Sequence, residues 1–294
     1  MEPAVDGLLT ALLPDDQALR TAKVLLKPNL ITARNGLLAC TDSRIIVAVA
    51  RWLLARGARV AVGDSPSFGS ARAVLAAIGA LPALQRLGVP VHEFRHRKEI
   101  VLASGQKAGL ATAALECDLL VNLPKVKAHS QMLATLAVKN LFGCLAGFQK
   151  PWWHMVHGES DGRFADLLIE LLATLPAGCT VVDGVTAMHR TGPVHGVPYA
   201  LGILVGGVDP VAVDTALLAL LGIEPHRCPL WHAARRAGLN GTTMEELTFP
   251  LRHPADLAVR DFVVPETLGP IRFNLFRFIK NSIKRALLRA GETR

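Results

Sequence analysis

Short apolar runs that do not alternate with polar residues recur along this chain, and helical stretches separate most of them. The runs are AKVLLK at 22–27, ARVAVGD at 58–64, PVHEF at 90–94, CDLLVNL at 117–123, CTVVDG at 179–184 and ALGILVGG at 200–207. Strands have this composition when helices cover both faces of a parallel sheet. The pattern predicts an α/β fold: a doubly wound, mostly parallel sheet with helices on both faces.

Helical periodicity fills the intervals between these runs. It predicts helices at 44–57, 71–88 (broken at Pro82), 130–143, 164–175 and 210–222. Asp42 and Asp209 stand at helix N-cap positions, and Pro210 suits a first helical turn. The segment 144–163 has no clear period, and we interpret it as an insertion or lid.

The composition is that of a globular chain with a large core, since 51% of its 294 residues are hydrophobic and 19% are charged. Its five cysteines are widely spaced and form no C-x-x-C pair. This spacing argues against an intrinsic iron–sulfur cluster and favours a reducing compartment. The N-terminal residues lack the features of a secretion signal, and no uncharged apolar run is long enough for a spanning helix. We therefore expect a cytoplasmic protein.

Positive charge is concentrated at the C-terminal end. The net charge is +8, and residues 271–294 supply +6 of it from seven basic side chains and one acidic one. The remaining +2 is too small to predict a nucleic-acid partner. We expect an α/β domain over 1–265 and a basic amphipathic tail helix over 266–294. That helix, at 271–290, suits either an anionic membrane at the inner face or docking on the protein's own core.

Polar residues follow five of the apolar runs, where each strand is predicted to end. They are Lys27 and Asn29; Asp64, Ser65, Gly69 and Ser70; Lys125, Lys127 and His129; Asp183; and Asp209. Ligands bind beyond the carboxyl ends of the strands in open parallel sheets. We therefore expect these turns to meet at one edge of the sheet and to line a positively charged pocket for a small anionic ligand.

The residue types suggest roles within that pocket. Binding residues are predicted at Lys27, Asn29, Asp64, Ser65, Gly69 and Ser70, because a helix start offers N–H groups to a phosphate or carboxylate. Catalytic residues are predicted at Lys125, Lys127, His129 and Asp183, because histidine titrates near neutral pH and a crowded lysine has a lowered pKa. Asp64, Asp183 and Asp209 are candidate ligands of a divalent cation such as Mg²⁺. Each also has an ordinary explanation as a turn or cap residue.

Two further groups of polar residues lie in loops. His154 and His157 form an H-x-x-H pair beside Trp152 and Trp153. No third ligand accompanies the pair in the sequence, so we favour substrate contact or packing over metal ligation. His189 and its neighbour Arg190 lie in a loop rich in glycine and proline, where recognition residues are common.

Several motifs stand in a fixed order along the chain: KPN, GDSP, NLPKVKAH, VKNLFG, VDG, GPVHG and GVDPVAVD. This order resembles the domain-of-unknown-function family 362 over residues 22–240. The resemblance implies that Lys139, Asn140 and Asp214 occupy characteristic positions beside the strand-end residues, and it adds Lys139 and Asn140 to the predicted binding residues. Many relatives carry a ferredoxin-type cysteine module, which is absent here, so no electron-transfer role is carried over.

These observations leave three hypotheses about function. The first is an enzyme that acts on a small phosphorylated or carboxylated substrate by acid/base or metal-assisted chemistry. The second is a non-catalytic redox or iron–sulfur partner that binds a separate ferredoxin-like protein at the membrane surface. The third is a membrane-peripheral enzyme of lipid metabolism, whose basic tail brings the site to an amphiphilic substrate.

Overall fold

The computed structural model describes residues 1–34, 37–147, 149–158 and 162–269. The predicted tail helix at 271–290 lies outside the described residues. The strands are β1 (Lys23–Pro28), β2 (Arg59–Gly63), β3 (Val91–His92), β4 (Arg97–Val101), β5 (Lys107–Ala111), β6 (Leu119–Leu123), β7 (Lys125–His129), β8 (Leu133–Thr135), β9 (Gly178–His189), β10 (Val197–Tyr199) and β11 (Ile203–Gly207).

Helices connect most of these strands. They are α1 (Glu2–Leu12), α2 (Asp16–Leu19), α3 (Ser43–Ala55), α4 (Ala71–Ala77), α5 (Leu81–Arg86), α6 (Thr112–Leu115), α7 (Ala137–Leu141), α8 (Gln149–Val156), α9 (Arg163–Leu172), α10 (Pro210–Leu220) and α11 (Pro229–Arg236). None of the described helices is both long enough and apolar enough to cross a membrane.

A nine-stranded sheet forms the centre of the described chain, in the order β3-β2-β1-β6-β9-β7-β8, with β10 and β11 also paired to β9. The pairs among β1, β2, β3, β6, β7 and β9 are parallel. The fold is therefore the predicted mostly parallel α/β sheet. A separate two-stranded hairpin, β4 with β5, was not predicted.

Successive residues of the strands pack alternately into two hydrophobic cores, one on each face of the sheet. On β1, Val24 and Leu26 pack into the core that contains α1, α3, α4 and α5. Leu25 packs into the opposite core, which contains α7, α9, α10 and α11. Since helices cover both faces, the sheet is doubly wound, and its strands have the continuous apolar composition from which it was predicted.

One strand prediction and one helix prediction need correction. The ALGILVGG run is not a parallel strand, since β11 pairs antiparallel with β9. The chain returns from β9 through β10 without a crossover helix, and a short return of this kind joins antiparallel neighbours. The predicted helix at 130–143 is also wrong in its first half, because β8 pairs there with β7 and only Ala137–Leu141 is α-helical.

Helix starts follow the local sequence closely. Asp42 accepts a hydrogen bond from the Arg44 N–H at 2.8 Å and caps α3. Asp209 accepts one from the Val211 N–H at 2.7 Å and caps α10, with Pro210 in the first turn. The predicted helix at 71–88 is two helices, α4 and α5, and Pro82 lies in the first turn of the second. The second of these caps confirms that Asp209 is an N-cap residue, which was the ordinary explanation of its position.

Candidate functional site

Lys27 and Asp64 form a buried ion pair at the carboxyl ends of β1 and β2. The Lys27 Nζ lies 2.8 Å from Asp64 Oδ1, and the Lys27 side chain is fully buried. It also donates to the Pro28 carbonyl at 2.7 Å. The other Asp64 oxygen accepts the Leu30 N–H at 2.8 Å. Because both partners are hydrogen-bonded, the pair fixes the turns that follow the two strands.

Two asparagines join this pair to the sheet. Asn140 of α7 donates to the Lys27 carbonyl at 3.2 Å and to Asn122 Oδ1 on β6 at 2.8 Å. Asn122 donates in turn to the Ala137 carbonyl at 3.0 Å. These bonds hold α7 against the strand ends, so the predicted residue Asn140 positions its neighbours.

Lys125 and Asp183 form a second buried ion pair, on the adjacent strands β7 and β9. The Lys125 Nζ lies 2.7 Å from Asp183 Oδ2. The same oxygen accepts the Asp42 N–H at 2.8 Å, and Asp183 Oδ1 accepts the Val185 N–H at 3.1 Å. The pair therefore ties the start of α3 to the centre of the sheet.

The buried amine of Lys127 can gain or lose a proton near neutral pH. Its Nζ donates to Asn29 Oδ1 at 3.1 Å and to the Ala39 carbonyl at 2.9 Å, both uncharged acceptors. Burial lowers its pKa to about 7. Cys40 and Asp64 oppose this shift, and the ammonium groups of Lys27 and Lys125 add smaller contributions that lower the pKa.

Lys139 of α7 has no carboxylate or hydrogen-bond acceptor at its amine among the described residues. Its Nζ lies over the rings of Phe142 and Phe164, 4.3 Å and 5.5 Å from their centroids. Burial, followed by the charges of neighbouring lysines, lowers its pKa well below 10.5. An ammonium in such a place is costly unless an anion accompanies it.

Helix α8 contributes two more basic groups to this region. The Lys150 amine donates to the Ser65 carbonyl, and burial lowers its pKa to about 8. His154 Nδ1 lies 2.8 Å from Gln131 Oε1, and Trp153 is only 1% exposed. The described part of the predicted lid at 144–163 thus contains a helix that packs against the strand-end residues.

His129 lies at the end of β7, close to His154. Its Nδ1 accepts the N–H groups of Gln131 and Met132 at 3.1 and 3.2 Å. The two imidazole rings are stacked, with centroids 6.5 Å apart and planes 12° from parallel. Burial and then the charge of Lys139 lower the pKa of His129 well below 6.5.

The structure therefore gathers most of the predicted residues at one place. We call the five amines the lysine cluster: Lys27, Lys125, Lys127, Lys139 and Lys150. Two carboxylates, Asp64 and Asp183, pair with members of the cluster. His129 and His154 lie beside it and share the charge of Lys139 as a cause of their lowered pKa values. The cluster thus holds more basic groups than acidic ones.

The predicted anion site at the start of α4 is already filled by protein groups. Ser70 accepts the Ala73 N–H at 3.1 Å. The Glu93 carboxylate accepts the Ala71 and Arg72 N–H groups, each at 2.9 Å. Because a carboxylate occupies these donors, we leave Gly69 and Ser70 out of the site. Ser65 stays at its edge through the bond from Lys150.

The three aspartates predicted to bind a cation have separate partners. Asp64 pairs with Lys27, Asp183 pairs with Lys125, and Asp209 caps α10. Within the described residues there is no group of three histidine, cysteine, aspartate or glutamate side chains suited to a metal ion. The geometry therefore does not bring Asp64, Asp183 and Asp209 together as a metal site.

His157 and His189 lie in aromatic surroundings, and His189 is the last residue of β9 rather than part of the predicted loop. The rings of His157 and Trp153 are in edge contact, with centroids 6.1 Å apart. The His189 ring lies 5.1 Å from that of Tyr199 and 5.8 Å from that of Phe262. The contact of His157 agrees with the packing interpretation of the H-x-x-H pair, and the recognition role expected for His189 stays a prediction.

Sequence reasoning missed three side chains of the site: Lys150, Gln131 and Asn122. Asn122 had a signal, since it is an amide within the apolar run LLVNL. Lys150 had only its place in a segment without a period, and Gln131 fell within a segment predicted to be helical.

Surface grooves lie away from the lysine cluster. One of about 750 Å³ is lined by Trp231, Arg235 and Thr242 among others. A second of about 260 Å³ lies between Leu12, Leu19 and Leu119. No amine of the cluster lines either groove. The side chains of Lys27, Lys125, Lys127 and Lys139 are buried.

Comparisons with known proteins agree with the motif order. Residues 24–219 match the family described as domain of unknown function DUF362. The chain is 40% identical over 269 residues to the thylakoid-associated protein sll1697 of Synechocystis sp., covering 91% of this chain and 84% of that protein.

Two solved structures show weaker likeness. They are the lactate racemase apoprotein of Thermoanaerobacterium thermosaccharolyticum, at 16% identity and a TM-score of 0.44, and a Thermotoga maritima protein, at 12% and 0.45. The matches cover 62% and 71% of this chain but only 48% and 56% of those proteins, about half their length. On the family match and the relative together, the chain belongs to the DUF362 family.

Proposed function

We propose that this protein is an enzyme that binds a small anionic substrate, phosphorylated or carboxylated, at the lysine cluster. The observation that carries the proposal is the Lys139 amine, which is buried against two aromatic rings with no anionic partner among the described residues. The ionised form of such an amine is costly in the free protein and is stabilised when an anion binds beside it. Arrangements of this kind are common at functional sites.

The other members of the cluster divide into two roles. Lys27 with Asp64, and Lys125 with Asp183, are satisfied ion pairs that hold the surrounding turns in place. Lys127 has a pKa of about 7, so it can accept or release a proton at neutral pH. We therefore assign positioning to Lys125 and Asp183 and proton transfer to Lys127.

Thermal unfolding with inorganic phosphate, acetate or chloride at equal ionic strength tests this proposal. Ligand at 100 times its Kd stabilises the folded state by about 2.7 kcal/mol, which raises the Tm by several degrees. We expect phosphate or acetate to give this rise and chloride to give none. Equal Tm values in all three salts would overturn the proposal.

A variant pair assigns the effect to the cluster. Lys139→Met removes the amine while keeping an apolar stem, and we expect it to lose the Tm rise. Lys98→Met removes an exposed amine of β4 and should keep it. If both variants respond to the anion as the wild type does, the ligand binds elsewhere.

Membrane association is a second candidate property, favoured by the relative at 40% identity that is named as thylakoid-associated. The sequence at 271–290 adds basic residues interleaved with Phe, Ile and Leu. Each basic residue near an anionic surface contributes about 1 kcal/mol to binding. We propose that this segment attaches the protein to the membrane, which would suit an amphiphilic substrate.

Flotation with liposomes decides this second candidate. We expect the full chain to float with vesicles that contain anionic lipid and to stay behind with neutral vesicles. A chain ending at Gly269 should stay behind with both. Equal flotation of the two chains would show that the tail is not the anchor.

A further inference from the structure

The hydrogen bonds around His129 fix which of its ring nitrogens carries the proton. Nδ1 accepts from two backbone N–H groups, those of Gln131 and Met132. A nitrogen that accepts these bonds carries no proton of its own, so the neutral ring has its proton on Nε2. His129 is therefore held as the tautomer that presents an Nε2–H donor.

The bonds around His154 fix the opposite tautomer. Gln131 Nε2 donates to the Gly158 carbonyl at 3.1 Å, which identifies the other atom of the amide as its oxygen. That oxygen, Oε1, lies 2.8 Å from His154 Nδ1. An amide oxygen only accepts, so Nδ1 of His154 must donate, and its Nε2 is left as an acceptor.

Both rings are neutral at neutral pH for the same reasons. Burial comes first for each, and the charge of Lys139 follows. Lys127 adds to the effect at His129, and Lys150 at His154. The pair therefore consists of two stacked neutral imidazoles, one with a free donor and one with a free acceptor, beside the Lys139 amine.

We propose that His129 and His154 determine specificity for a small hydroxylated anion. Lys139 pairs with the acid group, the His129 Nε2–H donates to an oxygen of the ligand, and the His154 Nε2 accepts a bond from a ligand hydroxyl. An anion without the hydroxyl leaves the half-buried His154 acceptor without this bond, which lowers the affinity of that anion. This inference rests on the proposed function, since it assumes that an anion binds at the lysine cluster.

Nuclear magnetic resonance of protein labelled with ¹⁵N-histidine tests the two tautomers directly. We expect His129 to show a protonated Nε2 and His154 a protonated Nδ1, each assigned from the signal lost in its His→Gln variant. Exposed His92 serves as the internal reference for a ring without a fixed tautomer. Gln131→Leu should release the tautomer of His154 and leave that of His129 unchanged, since the backbone N–H at position 131 remains. The same tautomer on both rings would overturn the inference.

Binding of matched ligands separates this inference from the proposed function. The pairs are glycolate with acetate and hydroxyethyl phosphate with ethyl phosphate. The members of each pair differ by a single hydroxyl group, and the use of both pairs distinguishes a carboxylate from a phosphate. We expect the hydroxylated member of at least one pair to bind about tenfold more tightly, and His154→Phe to remove that preference while keeping the binding of the other member. Equal binding within both pairs would overturn the inference alone. No binding by any of the four would overturn the proposed function.

Discussion

Gly143 shows how closely the backbone approaches the Lys27–Asp64 ion pair. A Cβ at this position would lie 2.5 Å from Asp64 Oδ1 and 2.5 Å from Lys27 Nζ. We expect Gly143→Ala to lower the free energy of unfolding by about 1–3 kcal/mol, because the buried pair must shift to make room. Urea unfolding measures the change.

Gly7 of α1 is the matched control, since nothing lies within 4 Å of a Cβ added there. Gly7→Ala should raise the free energy of unfolding by about 0.5–1 kcal/mol, as alanine does inside a helix. If Gly143→Ala does not lower the free energy of unfolding, the Lys27–Asp64 ion pair is not tightly packed against residue 143.

The buried amine of Lys127 makes the free energy of unfolding increase with pH. Its pKa is about 7 in the folded protein and near the ordinary 10.5 in the unfolded chain, so the unfolded chain binds more protons between these values. The free energy of unfolding therefore rises with pH across this window, by up to about 1.4 kcal/mol per pH unit. We expect Lys127→Met to show a smaller rise in urea unfolding from about pH 7 to about pH 10.

Lys98→Met is again the control and should keep the wild-type slope, because the amine it removes is exposed. Identical slopes in wild type and Lys127→Met would mean that Lys127 is charged throughout the window.

Individual site residues were predictable where they follow an apolar run. Lys27, Lys125 and Lys127 interrupt strongly apolar surroundings, and a charge in such a place needs a partner or a function. Lys150 was not predictable in this way, because it lies in a segment without a clear period and only the packing of α8 brings it to Ser65.

At the scale of elements, the Lys125–Asp183 ion pair joins β7, β9 and the first residue before α3. Lys125→Met leaves the fully buried Asp183 carboxylate without its charge partner. We expect a loss of roughly 3–5 kcal/mol in the free energy of unfolding, the usual cost of breaking a buried pair from one side. Chemical denaturation monitored by circular dichroism measures it.

The pair of Lys107 with Glu99 on the β4–β5 hairpin provides the comparison, since both side chains are more than half exposed. Lys107→Met should change stability little, because solvent screens exposed pairs. A loss of similar size in the two variants would contradict the view that burial sets the cost.

The elements themselves were predictable to different degrees. Strand β1 and helix α3 have clear apolar patterns and a clear cap at Asp42, and the structure confirms them. The segment KVKAH was expected to be a loop, yet it forms β7, because pairing with β9 gives its backbone groups partners. A long-range pairing of this kind leaves no local signal in the sequence.

At the scale of the whole molecule, β9 is the strand on which the sheet depends. It pairs with β6, β7, β10 and β11, and Val181 and Val182 on it are fully buried. In native-state hydrogen exchange we expect the amides of Val181 and Val182 to exchange only through global unfolding.

The β4–β5 hairpin should behave differently, because its outer strand β4 is largely exposed and belongs to a separate sheet. We expect β4 amides to exchange through local opening, at rates insensitive to mutations in the central sheet. Equal protection of β4 and β9 would contradict this division.

The doubly wound plan was predictable because the order of apolar runs and helices is a property of the entire sequence. The antiparallel placement of β11 was not predictable, since a run that is apolar on both sides has the same composition in either direction.

The strands β6 and β7 follow one another across the single residue Pro124, and the side chains keep their alternation through it. Val126 and Ala128 pack into the core that contains α7, while Lys125 and Lys127 bond to groups on the other side. Deletion of the residue at position 124 would turn each of these side chains to the opposite face of the sheet. The ammonium groups of Lys125 and Lys127 would then lie in the hydrophobic core, and Val126 and Ala128 would lie among polar groups. This chain should therefore tolerate a change of length in its outer loops far more readily than at this junction.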